Sequence, residues 1–151
     1  MTEKDTLVVL ASFVPFGPAR IKLLLEYFGG ARKAWTAPEK RLKEIGLSEK
    51  LVSEFVDFRD KFDAQRYFNQ LKGFGIEVIT VKDKNYPPRL KEISDAPVVL
   101  YVKGEMKLQD EVSLAIVGSR KLTSYGKEIA RQLAGELASR GGTIISGLGL
   151  G

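Results

Sequence analysis

Hydrophobic residues in the first half of the chain recur at the three- and four-residue spacing that is typical of amphipathic helices. Glycine and proline interrupt this pattern and divide it into five predicted helices, over residues 7–14, 19–28, 31–37, 38–45 and 48–73. Ser48 is a suitable N-cap for the fifth and longest helix, and Gly73 is a suitable end. Residues 1–75 are therefore predicted to form a small all-helical domain that folds independently.

The pattern changes after Gly75, where β-branched residues alternate with others over residues 76–81. Three apolar segments of strand length follow, at residues 98–102, 113–117 and 143–145, and a helical pattern occupies residues 123–140. The order of strand, helix and strand is typical of a βαβ unit in a parallel sheet when the strands are continuously apolar and do not alternate apolar with polar residues. The sequence thus predicts an α/β fold class, with the three apolar segments in one parallel sheet.

One βαβ unit has a single helix, which covers only one face of its sheet. Apolar residues on the other face, and the open edge of the last strand, are then left without a partner. We therefore expect the 151-residue chain to be the front portion of a longer protein, with an incomplete second domain. As a separate polypeptide it is expected either to self-associate through this apolar surface or to be only partly ordered.

The composition is that of a globular protein, with 44% hydrophobic and 28% charged residues. The chain has no cysteine and no histidine, which excludes disulfides, thiolate or imidazole metal sites, and catalysis by Ser-His-Asp or Cys-His groups. It has no apolar segment of the roughly 20 residues that a membrane helix needs, and its start does not fit a secretory signal. These features predict a cytoplasmic protein without a metal site.

The net charge of +5 allows a polyanionic partner, but the distribution of charge does not localise one. Residues 1–80 carry 13 basic and 11 acidic side chains, and residues 81–151 carry 11 basic and 8 acidic ones. Charges of both signs are interspersed along the chain, which is equally the pattern of an ordinary solvated surface.

Two glycine turns between predicted helices resemble the turns of helix-hairpin-helix modules. Gly17 lies between the first two helices, and Gly46 lies between the fourth and the fifth. In such modules backbone N–H groups beside a glycine hold a DNA phosphate, because the missing side chain lets the backbone approach. Gly17 and Gly46 are therefore candidate backbone contacts to DNA, although any pair of helices needs a turn of this kind.

A second candidate site lies at the ends of the last two predicted strands. Gly118, Ser119 and Arg120 follow the first of them, and Ser146 and Gly147 follow the second. Because parallel strands joined by a helical crossover end at the same edge of a sheet, these residues are expected to lie together. Glycine permits close approach, serine donates hydrogen bonds and arginine adds a charged donor, which favours a phosphate ligand. A plain βα turn with a solvated arginine and a frayed terminus is the alternative.

The aromatic residues of the fifth predicted helix follow helical spacing and are predicted to be core residues: Phe55, Phe58, Phe62 and Phe68. A stripe of this kind is more often a packed core than a platform for base stacking. Trp35 is predicted to be a packing anchor. The acidic residues show no paired arrangement that suggests acid–base catalysis.

Five segments occur in a specific order along the second half of the chain: residues 85–90 (NYPPRL), 93–104 (ISDAPVVLYVKG), 115–120 (AIVGSR), 123–126 (TSYG) and 145–151 (ISGLGLG). In this order the chain resembles the bacterial DNA processing protein A family, also called DprA or Smf. The resemblance covers about residues 83–151 and, more loosely, the helical front segment. The chain lacks the segments that follow the Ser-Gly motif in the family.

The resemblance implies a protein of natural transformation, or competence, that binds single-stranded DNA, protects incoming strands and helps to load the RecA recombinase. It implies a Rossmann-like domain that begins in residues 76–151, a preceding SAM-like or helix-hairpin-helix domain in residues 1–75, and a homodimer of the full-length protein. The family is not a classical enzyme and binds no obligatory nucleotide cofactor. The five residues that follow the last two strands would line a pocket for a DNA phosphate, with Arg120 as the main charged contact.

Two other functions remain open on the sequence. Related Rossmann-like phosphoribohydrolases also seat a phosphate near glycine turns, although their catalytic Arg and Glu residues lie in motifs that this sequence does not show. The third alternative is an interaction module whose partner surface is the helical front domain. Titration with oligothymidine and with mononucleotides distinguishes these functions, because DNA binding depends steeply on salt and an enzyme turns a nucleotide over.

Overall fold

The computed structural model describes residues 1–106, 112–119 and 121–147. The chain divides into two compact units, Met1–Met106 and Lys107–Gly151. The domain boundary predicted at residues 75 and 76 falls inside the first of these units. None of the helices in the described residues is long and apolar enough to cross a membrane.

The first unit contains six helices followed by a two-stranded sheet. The helices are α1 (Glu3–Ser12), α2 (Pro18–Phe28), α3 (Ala31–Trp35), α4 (Glu39–Glu44), α5 (Glu49–Lys61) and α6 (Ala64–Gly73). The strands are β1 (Ile76–Thr80) and β2 (Val99–Lys103), and the short helix α7 (Pro88–Lys91) lies in their connection. The helical character predicted for the front segment is confirmed.

Helix α1 begins with a capping box and ends earlier than predicted. The Thr2 hydroxyl accepts the Asp5 N–H at 3.0 Å, and the Asp5 carboxylate accepts the Thr2 N–H at 2.7 Å. At the other end Phe13 is extended, with φ −76° and ψ 93°. The predicted extension of this helix to residue 14 is therefore wrong: Val14 is 88% exposed, and Phe13 and Phe16 are buried instead.

The prediction of one long helix over residues 48–73 is also wrong, because the chain breaks between α5 and α6. Ser48 caps α5 as predicted, but Phe62 at the other end is extended, with φ −77° and ψ 116°. The Asp63 carboxylate then accepts the Arg66 N–H at 2.9 Å and starts α6. An aspartate side chain competes in this way with the helical backbone, and the break lets α6 turn its aromatic face toward the core.

The core of the first unit is formed by the helices and closed by the sheet. The rings of Phe16 and Phe55 lie 4.8 Å apart, and Trp35 packs edge-on against Phe55 at 5.6 Å. The predicted roles of Phe55 as a core residue and of Trp35 as a packing anchor are confirmed. Val98 and Val99 are buried in the same cluster. Because this cluster includes β2, the compact unit extends beyond the predicted helical domain.

Strand β2 pairs with β1 and runs antiparallel to it, with Ile76 opposite Lys103 and Thr80 opposite Val99. The prediction that residues 98–102 belong to the parallel sheet is therefore wrong. A short apolar strand has the same sequence pattern in either kind of pairing, and the long connection between β1 and β2 carries no hairpin signal.

The second unit contains the predicted βαβ arrangement: β3 (Ser113–Ala115), α8 (Ser124–Ser139) and β4 (Thr143–Ile145). The two strands are parallel, with Ala115 opposite Ile145, so this prediction is confirmed. Among the described residues of this unit none is fully buried. The fold is thus a mixed one, in which a two-stranded antiparallel sheet and a two-stranded parallel sheet accompany the helices.

Candidate nucleic-acid interface

Two of the predicted polar turns lie side by side at one edge of the parallel sheet. The Ile116 N–H donates to the Ile145 carbonyl at 2.9 Å, which continues the β3–β4 ladder to the point where both strands end. The turn at residues 118–119 follows β3, the turn at residues 146–147 follows β4, and all four residues are exposed. The structure therefore brings these four predicted site residues to the same carboxyl edge.

Helix α8 begins directly after the turn that follows β3. The Ser119 hydroxyl accepts the Lys121 N–H at 3.2 Å, which shapes the connection. The Thr123 hydroxyl then caps the helix by accepting the Gly126 N–H at 3.0 Å. The first amides of a helix have no intrahelical acceptor and carry the positive end of its dipole. This edge therefore offers hydrogen-bond donors and a favourable potential for an anion.

Gly118 and Gly147 are not required by the backbone conformation of their turns. Neither has a positive φ, and a Cβ atom at either position would meet no heavy atom of the described residues within 4 Å. The missing side chains therefore leave the backbone open to an approaching group. Within the described ranges the Ser146 hydroxyl donates one long hydrogen bond, to the Gly147 carbonyl at 3.4 Å, and the residue is exposed.

Arg120, the predicted main charged contact, lies outside the described residues, as do residues 148–151 of the glycine-rich segment. In the sequence Arg120 follows Ser119 and precedes Lys121, both of which belong to the connection between β3 and α8. Its assignment as a phosphate ligand stays a prediction.

The other two candidate residues, Gly17 and Gly46, lie in the first unit, between α1 and α2 and between α4 and α5. Gly17 is the N-cap of α2 with φ −64°, and Pro18 occupies the first helical position. Proline has no N–H, so this turn offers fewer donors than other helix starts. Gly46 has φ +85°, a left-handed conformation that explains the glycine without any ligand.

The turn at Gly46 is flanked by paired charges. Arg41 Nε lies 3.1 Å from a Glu44 carboxylate oxygen, and Lys43 Nζ lies 3.2 Å from a Glu49 carboxylate oxygen. Carboxylates so close to the turn reduce the positive potential that attracts a phosphate. Gly17 is therefore the better of the two hairpin candidates.

Contacts of Tyr86 and Asp83 hold the connection between β1 and β2. Tyr86 is buried, its hydroxyl donates to the Pro97 carbonyl at 2.7 Å, and burial raises the pKa of the phenol. The Asp83 carboxylate accepts the Thr80 N–H at 2.7 Å and lies 2.8 Å from Lys4 Nζ. The hydrogen bond from this lysine is the main reason that the pKa of Asp83 is lowered. These contacts stabilise the first unit.

A shallow depression in the first unit contains no predicted site residue; it is lined by Met1, Thr6, Arg32, Lys33, Trp35 and Thr36. The Thr6 hydroxyl there donates its hydrogen to the Thr2 carbonyl at 2.8 Å. Within the described ranges no group of His, Cys, Asp and Glu side chains is arranged to hold a metal ion.

The parallel βαβ unit, with exposed glycine and serine residues at its carboxyl edge, gives this protein of mixed fold a candidate phosphate-binding edge. Comparison with known proteins identifies the family. Residues 77–151 match the family described as DNA recombination-mediator protein A. The chain belongs to this family, whose members carry the names DprA and Smf, and the resemblance found in the sequence is confirmed.

Three curated relatives show how the similarity is distributed. The DNA processing protein DprA of Bacillus subtilis is 42% identical over 78 residues, which are 51% of this chain and 26% of the relative. The protein Smf of Synechocystis is 29% identical over 140 residues, or 89% of this chain and 35% of the relative. The protein Smf of Escherichia coli is 34% identical over 110 residues, which are 73% of this chain and 29% of the relative. The chain thus spans about a quarter to a third of the length of these relatives.

Proposed function

We propose that this chain contributes a phosphate-binding edge to a single-stranded DNA-binding protein that acts in DNA processing for natural transformation and recombination. The observation that carries the proposal is the convergence of the turns at residues 118–119 and 146–147 at the carboxyl edge of the β3–β4 pair. Membership of the DNA recombination-mediator protein A family supports DNA, among polyanions, as the ligand.

In this proposal a DNA phosphate binds between the two turns. The open backbone at Gly118 and Gly147 approaches the phosphate, and the hydroxyls of Ser119 and Ser146 donate hydrogen bonds to its oxygens. Arg120 supplies the main charged contact, because a guanidinium group matches two phosphate oxygens at once. These contacts involve the sugar-phosphate backbone and carry no sequence preference.

We carry the domain organisation over from the family as part of the same proposal. Residues 1–75 correspond to a SAM-like or helix-hairpin-helix domain, and residues 76–151 to the start of a Rossmann-like domain. The helix pairs at Gly17 and Gly46 support the first assignment, and the parallel βαβ unit supports the second. Gly17 serves as a secondary backbone contact to DNA, and Gly46 is the weaker candidate for such a contact.

The proposed activity is binding, with no catalysed reaction and no nucleotide cofactor. The absence of histidine and cysteine from the sequence supports it, because these residues are the commonest general bases and the strongest nucleophiles. In the cell the longer protein would form a homodimer in the cytoplasm, protect single strands and hand them to RecA.

Titration of the chain with a fluorescent oligothymidine at several salt concentrations tests the proposal. Arg120→Ala is expected to weaken binding and to reduce the slope of log affinity against log salt by about one unit. The midpoint of thermal unfolding is expected to change little, as for most surface substitutions. Arg140→Ala is the matched control, since Arg140 is exposed at the opposite end of α8, and it is expected to leave the slope unchanged.

Two results would contradict the proposal. If Arg120→Ala bound oligothymidine at low salt with unchanged affinity, Arg120 would not contact a phosphate at this edge. Turnover of a nucleoside monophosphate by the unaltered chain, measured by release of its base, would favour the phosphoribohydrolase alternative.

A further inference from the structure

Three exposed apolar side chains lie at the start of α8 or in the connection before it: Val117, Leu122 and Tyr125, together called the apolar rim. Tyr125 is the second residue of the helix and is 76% exposed, and no aromatic side chain in the described part of the chain is more exposed. Val117 is 88% exposed and Leu122 is 53% exposed. Leu122 lies against the first turn of α8, with its Cδ1 atom 4.0 Å from the place that a Cβ on Gly126 would occupy. The fold leaves these side chains in water.

Lys121 and Lys127 flank the start of α8, and its first turn carries no acidic side chain. Acidic side chains are favourable in the first turn because they complement the helix dipole, and α8 has none there. Lys121 precedes the N-cap, and Lys127 follows the first turn. Among the described residues neither lysine forms an ion pair. This arrangement costs stability in the isolated chain and favours a negatively charged ligand beside the rim.

An exposed aromatic ring beside a cationic surface matches the two parts of a nucleotide. The phosphate is attracted by the lysines, and the base has an apolar face that stacks on an aromatic side chain. In a duplex the faces of the bases are already stacked on one another, so a base reaches such a ring only when it is unpaired. The rim therefore fits single strands better than duplexes.

We propose that Tyr125 stacks on an unpaired base of the bound strand, with Val117 and Leu122 against the edges of that base. This inference rests on the proposed function, because the phosphate attached to the base would occupy the turn at Ser119. It adds a base contact to a site otherwise built from phosphate contacts, and it makes Tyr125 the residue that distinguishes single-stranded from double-stranded DNA.

The test compares three variants of the full 151-residue chain on three ligands. The variants are Tyr125→Ala, Tyr125→Phe, which keeps the ring, and the control Phe74→Ala, which removes a 65% exposed aromatic side chain from the first unit. The ligands are a short oligothymidine, the same strand with abasic sites in place of thymine, and a duplex of equal length. Affinities are measured by fluorescence anisotropy below any concentration at which sedimentation shows self-association.

Tyr125→Ala is expected to weaken oligothymidine binding by about 5- to 150-fold, the range that corresponds to loss of one stacked base. The same substitution is expected to leave the affinity for the abasic strand and for the duplex within about twofold, and the salt slope unchanged, because no phosphate contact is lost. Tyr125→Phe and Phe74→Ala are expected to bind oligothymidine as the unaltered chain does.

An equal loss on oligothymidine and on the abasic strand would overturn the inference, since it would show that Tyr125 does not contact a base. The same conclusion would follow if Tyr125→Ala had no effect while Arg120→Ala weakened binding, and the proposed phosphate site would then stand without the base contact. If the unaltered chain bound none of the three ligands, the proposed function and this inference would both be wrong.

Discussion

Gly30 stands so close to Glu3 that a Cβ atom on residue 30 would lie 2.8 Å from Glu3 Oε1. The Glu3 carboxylate caps α3 by accepting the N–H of Ala31 and, at 3.3 Å, the N–H of Arg32. Gly30 also has φ +144°, which L side chains rarely adopt. The Glu3 side chain of the first helix thus caps the start of the third, and a Cβ atom on residue 30 would displace that carboxylate.

Gly30→Ala is therefore expected to lower the free energy of unfolding by about 1–3 kcal/mol, because it combines an unfavourable φ with a clash against Glu3. Denaturation in urea measures this change. Gly73→Ala is the matched control, since Gly73 is the last residue of α6, lacks a positive φ and has open space around its Cα. It is expected to be neutral or stabilising.

Combining Gly30→Ala with Glu3→Ala separates the clash from the backbone strain. Glu3→Ala alone is expected to cost about 0.5–2 kcal/mol, as for the loss of a helix cap. In that background Gly30→Ala is expected to cost less than it does alone, because the carboxylate is gone. Strictly additive effects of the two substitutions would mean that the close approach of Glu3 contributes nothing to the loss of stability caused by Gly30→Ala.

Asp83 gives the first unit a predictable dependence on pH. Its pKa is lowered from an ordinary value of 3.8, first by the hydrogen bond from Lys4 and then by those from Thr80. The folded chain therefore binds a proton less readily than the unfolded chain, so the ionised carboxylate stabilises the fold. This contribution is complete above the ordinary value and is lost as the pH falls through the lowered one.

Asp83→Asn is accordingly expected to destabilise the chain at pH 7 and to flatten the decline in stability below pH 4. Urea denaturation at a series of pH values measures both effects. Lys4→Met is expected to reproduce part of the change, because it removes the largest cause of the shift. A variant whose stability falls with acid as steeply as that of the unaltered chain would rule Asp83 out as the titrating group.

Because β2 contributes to the core, a fragment that contains it is expected to be more stable than a fragment that ends before it. Val98 and Val99 close the helical cluster, so a polypeptide of residues 1–75 exposes apolar surface that residues 1–106 bury. Both fragments are expected to be helical by circular dichroism, and the longer one is expected to unfold at a higher temperature in a sharper transition. Equal midpoints would show that the helices fold without the sheet, as the sequence alone predicts.

Local signals made most of the helices predictable. Gly29 and Pro38 interrupt the apolar pattern where helices end, and the structure has boundaries at both places. The break at Asp63 was not predicted, because the apolar spacing continues across it. Only the capping hydrogen bond between the Asp63 carboxylate and the Arg66 N–H reveals the break. The Glu3 cap on α3 joins residues 28 positions apart, so no local pattern could indicate it.

The candidate site was predictable for a different reason. Crossover topology fixes which strand ends meet, so the placement of Ser119 and Ser146 at one edge followed from the order of strand, helix and strand. The pairing partner of residues 98–102 did not follow, because a short apolar strand does not specify its neighbour. The exposure of Tyr125 could not be predicted from the sequence either, because it depends on what surrounds α8 and not on the residues next to Tyr125 in the chain.

The second unit exposes apolar surface that favours self-association. Its strand and helix residues leave apolar side chains in water: Leu114 is 41% exposed, Leu133 48% and Ile145 54%. Monomeric proteins rarely expose connected apolar surface beyond a few hundred Å², and two parallel strands also present open hydrogen-bonding edges. The 151-residue chain is therefore expected to sediment as a concentration-dependent mixture of species and to bind a hydrophobic dye. Leu114→Lys combined with Ile145→Lys is expected to shift the mixture toward monomer, because buried lysine charges would oppose association. A monodisperse monomer that binds no dye would show that these side chains are covered in solution.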